Sequence, residues 1–338
     1  MYSGLVPHDC ALLITGSLNA MEEDREHDAR SNIHPLQIVM DGTVSKCPYF
    51  SDWGELGISS LVYRASAGLV MYITTGSDLI ELHIEKRRVV SAEHFEIPNL
   101  KDVHEIALFD DVLWLANTGF DDAIAFDLER KEVVRRVRMD DFRQRSRIER
   151  WLLTGDEQQL EVDRYHCNQI FKGLDGKLYA LVHHVNGKQL LRRIANKLTK
   201  VHGNGGIINI DTGQKIQLGL KGPHSVRCIQ DEYWICDSGS RSVNIYSQNW
   251  ELKTRLPTVG WARGADVRLK DNLYYVGVSA QRQRYRDRPD FNDKNLVHVF
   301  RVSDRAALGD ILIREGIEQI NNVYLVPKDM AETLLRLQ

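Results

Sequence analysis

Five stretches of the chain share one pattern, and an internal repeat narrows the available folds more than any other feature here. The run "HSVRCIQDEYWICDSG" (224–239) matches "HEIALFDDVLWLANTG" (104–119) gap for gap. Each reads as a polar pair, an apolar strand, an acidic turn, an aromatic-containing strand and a small polar end. "NQIFKGLDGKLYALVHH" (168–184) repeats this with one extra turn residue, and "ADVRLKDNLYYVGVSA" (265–280) and "SSLVYRASAGLVMYITTG" (59–76) also fit. A third and a fourth strand follow each copy, as in "AIAFDLERKEVVRRV" (123–137), "GIINIDTGQKIQLGL" (206–220) and "SVNIYSQNWELKTRL" (242–256). Their polar turns suit hairpins. Four strands per unit, repeated, predict propeller blades.

The two ends supply one more blade. "NNVYLVPKDM" (321–330) reads as a first strand whose unit then stops. "CALLITGSLN" (10–19) supplies the second strand, and "HPLQIVMDGTVSKCPYF" (34–50) the closing hairpin. The expectation is an all-β, six-bladed β-propeller closed by both termini, one domain over 1–338. Its blades fall near 57–101, 102–142, 163–221, 222–260 and 261–320, and 321–330 joins 10–50. Three insertions interrupt the spacing. Residues 140–163 and 186–204 read as short helical insertions, and 281–295 as a charged loop. Insertions in repeat folds tend to gather on the face used for binding.

Composition removes several function classes. A net charge of −3, with no basic stripe among the aromatics, argues against nucleic acid and acidic membranes as partners. The five cysteines have no paired spacing, so neither a disulfide framework nor a zinc ribbon is indicated. No segment reaches the roughly 18 apolar residues of a membrane span, and the start lacks a basic leader. A cytoplasmic protein is expected.

In a propeller the first strand of each blade lines the central channel. The aligned polar pairs then form a ring of Ser59–Ser60, His104–Glu105, Asn168–Gln169, His224–Ser225, Ala265–Asp266 and Asn321–Asn322. His166 and Arg263 stand just upstream, and His183 and Ser279 end second strands. Desolvating these groups is costly unless they bond to one another, to water or to a ligand. The expected catalytic set is His224, His104, Glu105 and Asp266, the imidazoles as bases and the carboxylates orienting them. Arg263 is the expected anion clamp, and Asn168, Gln169, Ser225, Asn321 and His183 complete the substrate-binding set. His104, His166 and His224 could converge on a divalent metal ion as cofactor, though no short ligand motif supports this; alternatively they act without metal, in acid–base chemistry. A single histidine in such a place is more often structural, satisfying strand ends. The combination exceeds what channel filling requires. Other features fall away: "GNGG" (203–206) leads into a strand and is a turn, and Asp237–Ser238–Gly239 lacks a nucleophile elbow.

The runs "VHEIALFDDVLWLANTGF", "DRYHCNQIF", "GPHSVRC…YWICDSG" and "RGADV…YYVGVS" resemble a bacterial family of conserved hypothetical β-propellers, described only as a domain of unknown function. The resemblance spans roughly residues 57 to 325 and implies a cytoplasmic propeller, often encoded beside biosynthetic genes. It implies no reaction. The Pro223–His224 strand start is also distantly similar to streptogramin lyase-like propellers, which use magnesium and a histidine base. Two functions stay open. One is an enzyme acting on a small polar metabolite or biosynthetic intermediate at the channel mouth, by lyase or isomerase chemistry. The other is a non-catalytic scaffold that binds a ligand, or a protein partner through 140–163 and 281–295.

Overall fold

The computed structural model describes residues 4–19, 33–65, 68–142, 163–187, 203–282, 285–287 and 291–338. The strands open with β1 (Cys10–Ser17), β2 (Leu36–Met40) and β3 (Thr43–Lys46). β4 (Ser60–Ala65), β5 (Leu69–Thr74), β6 (Leu79–Glu85) and β7 (Arg88–Phe95) follow. Next come β8 (Val103–Phe109), β9 (Val112–Asn117), β10 (Asp122–Asp127) and β11 (Glu132–Arg138). Then β12 (Cys167–Lys172), β13 (Leu178–Val182), β14 (Gly205–Asn209) and β15 (Lys215–Leu220). β16 (Pro223–Ile229), β17 (Glu232–Asp237), β18 (Ser242–Ser247) and β19 (Leu252–Pro257) form the next group. The last strands are β20 (Trp261–Arg268), β21 (Leu273–Ser279), β22 (Leu296–Arg301), β23 (Ala307–Leu312) and β24 (Gln319–Pro327). They make six four-stranded antiparallel sheets, five of them consecutive and the sixth ordered β24-β1-β2-β3. The class is the six-bladed β-propeller that the repeat predicts.

Two compact units divide these blades. Residues 97–223 hold the sheets β8–β11 and β12–β15; residues 1–96 with 224–338 hold the other four. Within each sheet burial falls outward. The second strands β9 and β17 are continuous apolar runs because both of their faces are covered, whereas the fourth strands β7 and β11 are largely exposed. Periodicity alone would not separate such buried runs from helix; their shortness and the turns around them do.

Closure is a register of eight pairs between β1 and β24, from Cys10↔Pro327 to Ser17↔Gln319, which covers two otherwise open edges. Asp41 and Gly42, at φ 48° and 74°, make the two-residue turn between β2 and β3 in the left-handed backbone such hairpins need. One expectation is corrected at the end of the chain. The first strand read over 321–330 stops at Pro327, and helix α1 (Lys328–Leu335) follows. Its Met330, Ala331 and Leu334, with Leu337 beyond, join the core of Leu13, Leu36 and Phe50. α1 is the α-helix among the described residues. The helical insertions expected over 140–163 and 186–204 fall mostly on 143–162 and 188–202, outside the described residues.

Candidate functional site

Three of the expected polar pairs, at His104–Glu105, Asn168 and Asn321, coincide with places where a blade's first strand slips register. In β8, Val103 pairs with Asn117 and Ile106 with Leu115, so His104 and Glu105 both stand opposite Ala116. In β12, Asn168 is the extra residue between Cys167 and Gln169. In β20, Arg263 and Gly264 stand opposite Gly277, and in β24 Asn321 is extra. These are β-bulges, which re-aim side chains out of the ladder and concentrate beside active sites. The expected pair Ala265–Asp266 lies two residues past this position, which Arg263–Gly264 occupies instead. The reason is a longer turn. Leu269–Asn272 join β20 to β21, whereas Asp110–Asp111 alone join β8 to β9, so matching by turn shifts the register by two.

Within residues 97–223 the structure brings three histidines together. The rings of His104 and His166 lie 5.0 Å apart at 77°, and those of His166 and His183 lie 4.2 Å apart at 39°. Their hydrogen bonds assign the tautomers. His166 Nδ1 lies 2.5 Å from Asp163 Oδ1, a carboxylate that accepts, so Nδ1 carries the proton. His104 Nδ1 lies 3.1 Å from the Asp102 carbonyl and 3.0 Å from Thr118 Oγ1, whose own hydrogen goes to the Cys167 carbonyl. That nitrogen is therefore also an N–H. In both rings Nε2 is the basic nitrogen. His183 is the reverse: Asn168 Nδ2 donates to its Nε2 at 2.7 Å and to the Pro223 carbonyl at 2.6 Å, which leaves the His183 proton on Nδ1.

The segment that carries Asp163 and His166 is anchored from Asp121. This buried carboxylate accepts the backbone N–H groups of Arg164, Tyr165 at 3.0 Å and His166 at 2.7 Å. Burial nevertheless raises its pKa above the usual carboxylate range, outweighing those donors. Glu105, also buried, accepts from Gln169 Nε2 at 2.8 Å, so it orients Gln169 rather than a histidine through this bond. Cys167 is fully buried and its thiol is pushed well above its ordinary pKa, which removes it as a nucleophile.

The other candidates lie in the second unit. His224 is the second residue of β16, partly exposed. Ser225, at φ 38°, accepts the Ala265 N–H at 3.1 Å and is a buried strand-to-strand link. Arg263 donates to Gln319 Oε1, and its Nη1 lies 3.5 Å from Asn321 Oδ1. Asp266 accepts the N–H groups of Leu325 and Val267, both at 2.7 Å, and burial raises its pKa. Ser59, Ser60 and Thr74 bond among themselves and to Tyr324, as strand-end residues do. Among the described residues no group of three His, Cys, Asp or Glu side chains is placed to hold a metal ion. No helix among them is long and apolar enough to cross a membrane.

The fold and these side chains thus define a six-bladed propeller with a histidine cluster drawn from β8, the approach to β12 and the end of β13. The family model for the domain of unknown function DUF4915 matches residues 89–335, and the chain belongs to that family. No curated protein matches the sequence. A candidate 6-phosphogluconolactonase from Bacteroides fragilis superposes with a TM-score of 0.52 at 9% identity, over 94% of this chain and 98% of that one. A protein of unknown function from Bacteroides caccae gives 0.55 at 10% identity, over 94% and 99%. The nidogen/laminin complex gives 0.55 at 9%, over 94% and 98%. Likeness at such identities is likeness of fold.

Proposed function

We propose that the histidine cluster of residues 97–223 is an acid–base site that moves a proton on a small polar metabolite, in lyase or isomerase chemistry. The observation that carries the reading is the shared tautomer. His166 and His104 each commit Nδ1–H to an oxygen acceptor, which leaves Nε2 as the base on two adjacent rings. Asp163 is placed to stabilise the imidazolium that forms when His166 Nε2 takes a proton, and His104 supplies a neighbouring nitrogen to receive or return it. Asn168 fixes His183 against the same ring. A divalent metal on these imidazoles is the variant of this reading that elemental analysis tests. The alternative is a non-catalytic propeller that binds a ligand or a protein partner, since the fold's neighbours include both a candidate 6-phosphogluconolactonase and the nidogen/laminin complex.

Proton abstraction leaves a trace that needs no known product. A panel of hydroxy acids, keto acids, lactones and sugars, incubated with the protein in D2O, is read by proton NMR for exchange at carbon. The expected result is exchange into at least one compound class, lost in His166→Ala and reduced in Asp163→Asn. Stoichiometric metal that disappears in His104→Ala/His166→Ala would assign the metal-assisted form. Exchange that is unaffected by loss of either histidine would overturn the assignment of the base, and no exchange at all would favour the binding scaffold.

A further inference from the structure

Residues 1–96 with 224–338 hold a buried histidine that takes no part in the acid–base site. His298 lies on β22, opposite Val276 of β21 and Asp310 of β23. Both of its ring nitrogens are assigned by their partners. Nδ1 meets the Asp310 carboxylate, which accepts, so Nδ1 carries a proton. Nε2 receives the Val259 backbone N–H at 3.3 Å, and a backbone N–H can only donate. The ring is therefore neutral, with its lone pair committed to the main chain. On the same face of β22, Leu296 and Phe300 join an apolar cluster with Ile245 and Leu256 of the preceding blade. Asp310 is the titratable group that faces His298 from β23; β21 offers Val276, and the connection 258–260 is Thr, Val and Gly. The charged residue bonded to that connection is Arg241, through its carbonyl, which takes the Thr258 N–H at 2.8 Å.

Val259 belongs to the short connection from β19 to β20. Thr258 Oγ1 donates across it to the Gly260 carbonyl at 2.9 Å. Gly260 lies hard against the next segment: a Cβ there would stand 2.6 Å from Asn292 Nδ2 and 2.7 Å from the Ser279 carbonyl oxygen. Asn292 is itself tied to Gln281, whose N–H donates to the Asn292 carbonyl at 2.7 Å and whose Oε1 accepts the Asn292 N–H at 3.0 Å. His298, the connection and the Gln281–Asn292 pair are thus neighbours in series. A proton added to His298 has one place to go, Nε2. Nε2–H would then face the Val259 N–H, donor against donor. The ring is kept from swinging aside, because Asp310 now holds an imidazolium by charge as well as by its hydrogen bond. Val259 gives way instead, since its side chain is 49% exposed and its N–H can turn to water. We propose that His298, Asp310 and the Val259 N–H form a proton-operated latch, in which protonation of His298 frees residues 258–260 and loosens their contact with Asn292.

Backbone amide exchange of the nitrogen-15-labelled full chain, followed by NMR at about pH 7.5 and about pH 5.5, tests this across the range in which imidazoles titrate. Rates are corrected for the pH dependence of intrinsic exchange. Protection of the Val259 amide is expected to fall about tenfold or more at the lower pH, as one hydrogen bond is lost. The Asn292 side-chain amide signals should shift over the same range, while amides within β17 and β21 stay protected. His298→Gln puts a non-titrating acceptor near the Nε2 position, and Val259 should then stay protected at both pH values. Asp310→Asn, at an exposed position on the edge strand β23, is the check that survives if changes at His298 prevent folding. It removes the counter-charge of the protonated ring, so release should require lower pH. Circular dichroism establishes that each variant is folded. The inference is overturned by equal corrected protection of Val259 at both pH values, by a folded His298→Gln that keeps the parent's pH dependence, by loss of protection spread equally over β17 and β21, or by release at Val259 with Asn292 unmoved. None of these outcomes depends on the exchange-at-carbon result, so the two readings fail separately.

Discussion

Asp121→Asn perturbs the anchor of the candidate dyad and nothing larger than one atom. The segment it holds is unfavourable by itself: Asp163 and His166 have φ of 60° and 55°, in left-handed backbone that non-glycine residues rarely adopt. Each such residue costs about 1–2 kcal/mol, which the surrounding bonds must offset. The carboxylate does so through three backbone N–H donors, two on Oδ2 and one on Oδ1. Asparagine keeps one oxygen and turns an NH2 toward the remaining donors. Losing one hydrogen bond to a charged acceptor removes about 1.5–3 kcal/mol, and relief of a buried charge returns part of it, so the expected net loss is about 2 kcal/mol. Urea unfolding at neutral pH measures it. The pH dependence tests the balance behind the number. Burial, the largest influence, raises the native pKa of Asp121 above its unfolded value. The native state then holds its proton to higher pH than the unfolded chain. The carboxyl's contribution is full below the unfolded value, about 3.9, and is lost as pH rises through the raised native value. The gap between parent and Asp121→Asn should therefore narrow as pH rises from 4 to 8. A gap that widens over that range, or an undiminished midpoint at pH 7, would refute the account.

Two further outcomes follow from the same bonding. Ser279 Oγ donates to the Ile320 carbonyl and accepts the Ile320 N–H, both at 3.0 Å, in a fully buried position. Ser279→Ala should lose roughly 1–3 kcal/mol in thermal or urea unfolding, with Ser279→Thr the milder change. Cys10, Cys47, Cys167 and Cys236 are buried and Cys228 is exposed; burial pushes the Cys47 thiol up to about 12. A maleimide applied to the native protein near neutral pH should add once, at Cys228, and mass spectrometry should show the other four sites only after unfolding.

Much of this architecture was readable from the repeat, because each polar pair, buried run and turn acts locally. The bulges were readable too, in a form easily misread. Two consecutive polar residues in an alternating strand, as at His104–Glu105, break the period of two, and an extra residue is what such a break means. What could not be read was any contact made through backbone groups far along the chain. Asp121 acts on N–H groups 43 to 45 residues away, and Thr118 on a carbonyl 49 residues away, so neither stands in a motif. The β20 register was lost for a local reason, the two extra residues of its turn. Helix α1 was missed because the strand was read through Pro327 to Met330, whereas the strand stops at the proline and the helix that starts at Lys328 turns Met330, Ala331 and Leu334 into the core.

Hydroxyls at or just past the ends of second strands explain why the bulged residues can vary. Thr118 donates to the carbonyl of Cys167, Ser238 to that of Ala262 and Ser279 to that of Ile320, at 2.5, 2.6 and 3.0 Å. Each acceptor immediately precedes a bulge, at Asn168, Arg263 and Asn321. A bulge takes a residue out of the ladder, and a buried carbonyl left without a donor would cost about 1–3 kcal/mol. A hydroxyl from the preceding blade removes that penalty. Stability at these positions then rests on the hydroxyl and the backbone, and the bulged side chain is released from it. Such a position accepts an asparagine or an arginine with the same strand around it. Substitutions at Asn168, Arg263 and Asn321 should therefore change chemistry and binding more than folding, whereas the quiet serines and threonines beside them should do the opposite.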